Sequence, residues 1–585
     1  MQIKKMHASF WLAMGLVLAA GILARTWDLA THFTHIDDIG VARNILMAKE
    51  DRPLTLASIR REFWRETDQL PPPAEYVSGE LDPATRFWNA LHRMTRVPRN
   101  WTYAPLQFFG TYALVHPGQS YRELLFWGRL PSCIAGILTL LAMIGFYRVH
   151  DRLSTPAVLV AVTLLALSWE NIIYAKQMSN YALGVLATVL VLGLLAVQLK
   201  SRYTWPRTLL TGALLASLIY AQYQILFLLP AFYLTLGLDL WHREKNRRLS
   251  LSAALLCSGL LGLLLLGPLY FFFLRHHTAG VIAWNAGPAG EFLFPWDPAL
   301  PLTGRLLSAI RFLFKNFYWV FASNLSAVPE KSWAFMPLLD FLLVLFAAGA
   351  VRLAATRRHR KKMLGIFILL VGLTWLALVL TRRLTLSPTR HSLVLLPFMA
   401  ILIAEGWNYA WIQRLFPKAA RLGPAITAGI WLLFFALYFP SVIAQRQDPF
   451  QRDDILPVLE EFGVDTLLAS DWTWNIGAMQ GFEKYNLFEE GMPPVWRKAG
   501  NPPYSTLAYL SHRTPLTERE FIRVKDIHNQ YYFLMRRMNL LLFKHWQDYA
   551  LIYRREIKSD SEVDFLNKTK NGSNNLYFYV LKQKA

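Results

Sequence analysis

The chain has 585 residues, of which 54% are hydrophobic and only 17% are charged. Soluble domains carry roughly 25% charged residues, so this composition favours a polytopic membrane protein over a series of soluble domains. The 21 Trp and 24 Tyr residues suit the interfacial belts of such a protein. Both cysteines lie in apolar runs, where neither a disulfide nor a metal site is expected.

Apolar runs that could cross a membrane recur along the chain and predict about eleven spans. They lie near 9–27, 124–147, 156–169, 181–198, 208–222, 223–240, 250–272, 334–351, 363–380, 392–409 and 423–440. The first run follows basic residues as a signal peptide would, but it is long and lacks a clear cleavage site. We therefore interpret it as an uncleaved span. The third and fifth runs are shorter than the usual length of about 20 residues.

Lys and Arg residues predict the orientation of these spans. With the N-terminus in the cytoplasm, the cytoplasmic segments hold 20 Lys/Arg and 2 acids, which is +18 of the total charge of +22 and leaves +4 for the rest. Every inside loop is then basic, as the positive-inside rule requires. The same asymmetry accounts for most of the net charge, so we expect no nucleic-acid partner.

Three long segments are predicted to face outward: a first loop at about 28–123, a second at about 273–333, and a tail. The tail mixes a helix-like run with strand-like runs such as "NLYFYVLKQ". The predicted fold is an α-helical polytopic membrane domain, residues 1–441, followed by a small α/β extracytoplasmic domain, residues 442–585. The apolar stretch 103–116 is too short to span, and is a re-entrant or interfacial piece or a core helix.

Two adjacent acids, Asp37 and Asp38, follow the first span on its outer side. One explanation is helix capping, because an Asp there would accept hydrogen bonds from free N–H groups. The other is a carboxylate base for glycosyl transfer from a lipid phosphate, in which the leaving phosphate needs cations but no second acid. His32 and His35 lie beside the acids without a recognised metal-binding spacing, so no metal cofactor is predicted; a divalent ion is the alternative.

Basic side chains recur at the predicted outer ends of the spans. Each could simply be an interfacial or snorkelling residue, or it could bind the phosphate. They are Arg43, Lys176, His276, His277, Arg382, Arg383, Arg390 and His391. Arg129 lies inside an apolar run, where it needs a partner such as Glu123 or a cavity. Glu405, near a cytoplasmic end, is expected to be exposed at the interface.

Taken in order, five motifs in residues 9–441 resemble those of the GT-C superfamily of membrane glycosyltransferases. The branch is that of protein O-mannosyltransferases and the aminoarabinose transferases of lipid A. The motifs are the pair Asp37–Asp38, "YAPLQFF" from Tyr103, "GRLPSCIAG" around Arg129, "YAKQMSNYAL" at 174–183 and "TRHSLVLLP" at 389–397. The chain departs from the family at four positions. Asp38 and Gln177 replace a usual Glu, Ser179 replaces an Arg, and His391 replaces a Tyr.

This resemblance implies an inverting transferase that uses a polyprenyl-phosphate or dolichyl-phosphate sugar donor from the outer leaflet. Asp37 would be the base, with Asp38 as its neighbour. The donor phosphate would be bound by Arg390, Lys176, His391 and Arg129, and the substrate would be contacted by Tyr103, Gln177 and Tyr181. The acceptor, a glycan, lipid or protein, would approach from the aqueous side, where the tail would cover the site or select the acceptor.

Two other function classes remain open. A transporter or flippase of lipid-linked glycans would usually carry ionisable residues near the bilayer centre, whereas here the spans are nearly free of them. A non-catalytic envelope-assembly protein is the third class. For all three we expect an integral protein of a bacterial inner membrane, with a cytoplasmic N-terminus and surrounding membrane lipids.

Overall fold

A computed structural model of the chain describes the residues that follow. They are 2–30, 41, 45, 104–116, 119, 121–150, 156–271, 294–295, 301–327, 336–386, 390–407, 417–445, 455–464, 466–469, 486–489, 506–511, 549–557 and 576–583. The chain divides into two compact units. The first comprises Met1–Leu29, Val97–Thr111 and Arg129–Val442, and the second comprises Ala30–Arg96, Tyr112–Gly128 and Ile443–Ala585.

The described part of the chain is mostly helical. The helices are α1 (Gln2–Thr26), α2 (Pro105–Leu114), α3 (Tyr121–His150), α4 (Pro156–Leu167), α5 (Trp169–Ala175), α6 (Tyr181–Lys200), α7 (Trp205–Ala221), α8 (Leu229–Arg243), α9 (Arg248–Leu269), α10 (Leu302–Leu325), α11 (Met336–Ala355), α12 (His359–Leu380), α13 (Leu396–Gly406), α14 (Pro417–Gln445) and α15 (Ile455–Glu461). Short 3₁₀ helices, Tyr223–Leu228 and Arg390–Leu395, lead into α8 and α13.

Seven of the described helical segments are long and apolar enough to cross a membrane, or eight if the bent pair α4 and α5 counts as one span. The chain is therefore an integral membrane protein. Helices lie over each of the eleven predicted runs. The count of eleven is not confirmed, because α1, α7 and α13 fall outside those seven segments. Helix α10 was not predicted, since basic residues interrupt its apolar ones.

The third predicted span is broken at Ser168, where α4 and α5 meet at an angle of 56°. Ser168 caps α5 by accepting a hydrogen bond from the Asn171 N–H at 3.3 Å. The break frees carbonyl groups at the end of α4, which must find donors inside an apolar bundle. The buried Arg25 guanidinium supplies them, donating to the Ala166 carbonyl at 2.8 Å and the Leu165 carbonyl at 3.0 Å. Arg25 thus keeps the bend in place.

Helices α11 and α13 approach each other so closely that only glycine fits at their crossing. A Cβ at Gly349 would collide with the Leu402 carbonyl group, and one at Gly406 would collide with the Leu345 carbonyl group. Small residues that let two backbones approach are typical of helix packing in membranes, where van der Waals contact replaces the hydrophobic effect. The crossing is therefore specified by these two glycines.

The expectation that Glu405 is exposed is wrong. Its side chain is buried, with the Lys361 ammonium 3.0 Å from one carboxylate oxygen and Arg352 Nη1 2.7 Å from the other. A carboxylate in an apolar interior is stable only when it is paired and hydrogen-bonded. Two cations on α11 and α12 meet that requirement for a residue on α13.

A second buried carboxylate is Asp239, near the C-terminal end of α8. Its partners also lie at or next to the ends of helices. The Tyr203 hydroxyl donates to it at 2.8 Å, and Arg243 forms an ion pair with it at 3.1 Å. His359, at the start of α12, contacts its other oxygen. Burial and the neighbouring Asp239 charge raise the pKa of Tyr203 well above its ordinary range. At this end of the bundle, both buried acids have cationic partners within the chain.

The second unit contains a five-stranded sheet in the order β2-β1-β3-β5-β4. Its strands are β1 (Thr466–Ala469), β2 (Asn486–Glu489), β3 (Thr506–Ser511), β4 (Tyr549–Ile557) and β5 (Leu576–Gln583). Strand β1 pairs in parallel with β2 and β3, while β5 pairs antiparallel with β3 and β4, with Tyr509 opposite Tyr579. Strands β1, β4 and β5 coincide with strand-like runs of the sequence. The boundary at 441 and the outer location of the tail remain predictions.

Candidate active site

The turn Lys176–Asn180, between α5 and α6, is buried along its whole length. Its first residue ends α5, with the Lys176 N–H donating to the Ile173 carbonyl at 2.8 Å. Four of its five side chains are polar, and polar side chains are mostly exposed in proteins. A loop that only connected two spans would leave such groups in water, so this turn has a different role from a surface anchor.

Lys176 is the central cation of the site. Its side chain is only 2% exposed, and its ammonium lies 5.9 Å from the centre of the Phe439 ring. Within the described ranges the ammonium has no hydrogen-bonded or ion-paired partner. Burial lowers the pKa of Lys176 to about 8, against a smaller opposing effect of the Asp28 charge. The protein thus holds a cation in an apolar setting, where it would interact strongly with an anion.

Arg129 lies close enough to Lys176 for their charges to repel. Its guanidinium is fully buried near the start of α3 and donates to the Leu29 carbonyl at 2.9 Å. Two predicted phosphate-binding residues, from segments far apart in sequence, are therefore brought together. Two buried cations lie near each other here, and the Asp28 charge offsets the burial of Lys176 only in part, so the region favours a bound negative charge.

Tyr181, the first residue of α6, contacts two more of the predicted site residues, Arg390 and His391. Its ring lies 5.5 Å from the Arg390 guanidinium and 5.6 Å from the His391 ring, and Tyr174 packs on it at 5.3 Å. Arg390 and His391 begin the 3₁₀ helix that precedes α13. The predicted substrate-binding Tyr181 and the predicted phosphate-binding pair thus share one aromatic contact surface.

Two amide side chains fix this 3₁₀ helix, and sequence reasoning missed both. The Gln224 side chain donates to the His391 carbonyl at 2.9 Å. The Asn324 side chain, from the end of α10, donates to the Ser392 carbonyl at 3.3 Å and its hydroxyl at 3.2 Å. The available signal was an amide next to the end of a helix: Gln224 in "AQYQ" follows α7, and Asn324 in "ASNLS" lies at the end of α10. These bonds hold Arg390 beside Tyr181.

The remaining predicted residues are placed as follows. Gln177 is buried in the same turn as Lys176. Asp37, Asp38 and Tyr103 lie outside the described residues, as do His32 and His35. Among the residues that are described, no group of three His, Cys, Asp or Glu side chains could hold a metal ion. The described part of the site therefore consists of cationic and aromatic side chains. Such side chains can bind an anion next to the aromatic ring of Tyr181.

No protein-family model matches the chain, and no curated protein matches it. Among solved structures, ArnT from Cupriavidus metallidurans in the apo state is 10% identical, with a TM-score of 0.47 and 98% of each chain covered. The same protein bound to undecaprenyl phosphate is 11% identical, with a TM-score of 0.45 and 97% of each chain covered. The oligosaccharyltransferase AglB from Archaeoglobus fulgidus, with an inhibitory peptide and a dolichol-phosphate, is 11% identical, with a TM-score of 0.46; 98% of this chain and 88% of that chain are covered. At these scores, the likenesses do not assign a function.

Proposed function

We propose that the chain is a membrane glycosyltransferase of the GT-C type, which transfers a sugar from a polyprenyl-phosphate donor to an acceptor at the outer membrane face. The observation that carries the proposal is the buried Lys176 ammonium, which has Arg129 nearby but no ion-paired carboxylate in the described part of the chain. A buried, unpaired cation is costly for folding. It is useful where negative charge develops on a leaving phosphate.

The chemistry needs one base and several cations. Asp37 would take the proton from the acceptor hydroxyl, whose oxygen then attacks the anomeric carbon of the sugar while the bond from that carbon to the phosphate oxygen breaks. The stereochemistry at the anomeric carbon inverts in one displacement. The polyprenyl phosphate leaves with the bonding electrons, so it needs no proton from a second carboxylic acid.

The residues of the described site would bind different parts of the donor. Lys176 and Arg129 would balance its charge from one side, and Arg390 from the other. Tyr181 would offer its ring and hydroxyl to the sugar, since aromatic faces commonly pack against apolar faces of ligands. Arg129 is held by its bond to the Leu29 carbonyl and Arg390 lies against Tyr181, so these groups need little reorganisation as the charge develops.

The direct test is transfer in detergent solution. Purified protein is incubated with a labelled polyprenyl-phosphate sugar and a cell-envelope extract, and label in the acceptor is measured. Transfer without a sealed compartment favours an enzyme over a flippase. No transfer of any donor sugar tested, in preparations that bind undecaprenyl phosphate, would refute the proposal.

The role of Asp37 is tested separately. Asp37→Asn removes the base, and we expect loss of transfer with unchanged expression and membrane insertion. Asp51→Asn, in the same predicted loop, is the matched control and should retain activity. Full activity of the Asp37 variant would exclude that residue as the base without excluding glycosyl transfer.

A further inference from the structure

The Ser179 hydroxyl is buried and has no hydrogen-bond partner in the part of the chain that the structure describes. The backbone around it is fixed. The Ser179 N–H donates to the Gln177 carbonyl at 2.8 Å, and the Ser132 hydroxyl donates to the Ser179 carbonyl at 2.9 Å. Since buried polar groups in native proteins are almost always hydrogen-bonded, this hydroxyl is available to a bound ligand.

The neighbouring side chains also carry polar groups that lack a hydrogen-bonded or ion-paired partner in the described residues. Lys176, three residues earlier, is a buried cation whose ammonium has no bonded anion in the described residues. The Asn180 side-chain nitrogen donates to Gln222 Oε1 at 2.8 Å, whereas its carbonyl oxygen is buried and accepts no hydrogen bond within the described segments. One five-residue turn therefore carries a cation, a hydroxyl donor and an amide acceptor, none of which has a hydrogen-bonded or ion-paired partner among the described residues.

These three groups define the chemistry of the missing partner. The ammonium can bind an anion, and the serine hydroxyl can donate a hydrogen bond to an acceptor oxygen. The amide oxygen can accept a hydrogen bond from an O–H or N–H group. A phosphate provides the first two on adjacent oxygens, and a sugar provides the third through its hydroxyl groups. A sugar phosphate combines all three in one molecule.

We propose that the Ser179 hydroxyl is a donor-binding group that donates a hydrogen bond to a phosphate oxygen of the lipid whose charge Lys176 balances. The inference rests on the proposed function, which it extends to a residue with no other assigned role. The Asn180 carbonyl oxygen then accepts a hydrogen bond from the sugar. Both residues come from the turn that also carries Lys176, so the turn as a whole is the phosphate-binding element.

The test uses the full-length protein in detergent, with undecaprenyl phosphate as the probe. Ser179→Ala is expected to melt at the same or a higher temperature than the wild type without lipid, because it removes a buried hydroxyl to which no described residue is hydrogen-bonded. Its Kd for undecaprenyl phosphate should rise about 10-fold or more, which corresponds to the loss of one hydrogen bond to a charged group.

Ser132→Ala is the matched control, since it removes a buried serine hydroxyl that does have a partner. It should lower the melting temperature. Ser179→Cys, nearly isosteric but a weaker donor, should bind the lipid with an affinity between those of the wild type and the alanine variant. Unchanged lipid affinity in both Ser179 variants would overturn the proposal. So would a melting temperature of Ser179→Ala that falls as far as that of Ser132→Ala.

The outcomes separate this inference from the proposed function. A wild-type protein that binds undecaprenyl phosphate but transfers no sugar refutes glycosyl transfer and leaves the Ser179 comparison valid. An active wild type whose KM for the donor is the same in Ser179→Ala refutes the role of Ser179 alone. A wild type that does not bind undecaprenyl phosphate refutes the inference as stated.

Discussion

Replacing Lys176 by methionine should stabilise the ligand-free protein and abolish donor binding. Methionine keeps the length and flexibility of the side chain but removes the charge. The lowering of the lysine pKa from 10.5 to about 8 corresponds to about 3 kcal/mol of penalty on the charged form. At pH 7 the lysine is charged in both the folded and the unfolded states, so the wild type bears that penalty and Lys176→Met does not.

The pH dependence of this difference has a definite sign. Because the folded-state pKa lies below the unfolded one, the unfolded chain binds more protons between about pH 8 and 10.5, and wild-type stability rises with pH across that window. The stability gap between Lys176→Met and the wild type should therefore be largest at or below pH 7 and close as the pH approaches 10.5.

Lys361→Met provides the matched control, because Lys361 is also buried but has an anion. Its ammonium lies 3.0 Å and 3.3 Å from the two carboxylate oxygens of Glu405. Removing it takes away one cation from a buried carboxylate, which is destabilising. Thermal denaturation in detergent, followed by tryptophan fluorescence, should give opposite shifts for the two variants. A melting temperature of Lys176→Met that falls like that of Lys361→Met would refute our description of Lys176.

Three further results are expected. The KM for the donor should rise as the pH increases above about 8, where Lys176 loses its proton, and Lys176→Arg should remove this dependence if transfer is assayed from pH 6.5 to 9.5. Asn324→Leu, which cannot donate to Ser392, should raise the KM more than it lowers kcat, because it loosens the segment that carries Arg390; an unchanged KM would contradict this. Gly406→Val should lower the melting temperature by forcing α13 away from Leu345, whereas Gly429→Val, at an open position, should not.

Much of the candidate site could be predicted from sequence because its motifs are local. Lys176 and Gln177 lie in one short polar turn between two apolar runs, and Arg390 and His391 open another. Such local patterns map directly onto the structure, because a polar segment next to an apolar run lies at the end of the corresponding helix. The structure added that the first turn is buried and that Arg390 and His391 lie against Tyr181.

The errors concern partners that are distant in sequence. Glu405 was expected to be exposed at the interface because it lies near the cytoplasmic end of its span, yet Lys361 and Arg352 reach it from two other helices. Likewise Arg25 has no apparent role until the bend at Ser168 exposes carbonyls on α4. The sequence marks Ser179 only as a departure from a family Arg, because its unbonded hydroxyl becomes visible only in the packing of the described residues.

Under the proposed function, the buried Lys176 also links the protein to the supply of polyprenyl phosphate in the cell. A ligand that binds only the folded state adds its binding free energy to folding, and a buried unpaired cation leaves more to be gained by such binding. Shifts of 1–2 kcal/mol are enough to change cellular abundance several-fold, because unfolded chains are continuously removed by proteases. When polyprenyl phosphate is scarce, we expect the amount of this protein in the membrane to decline with it, and Lys176→Met to escape that decline.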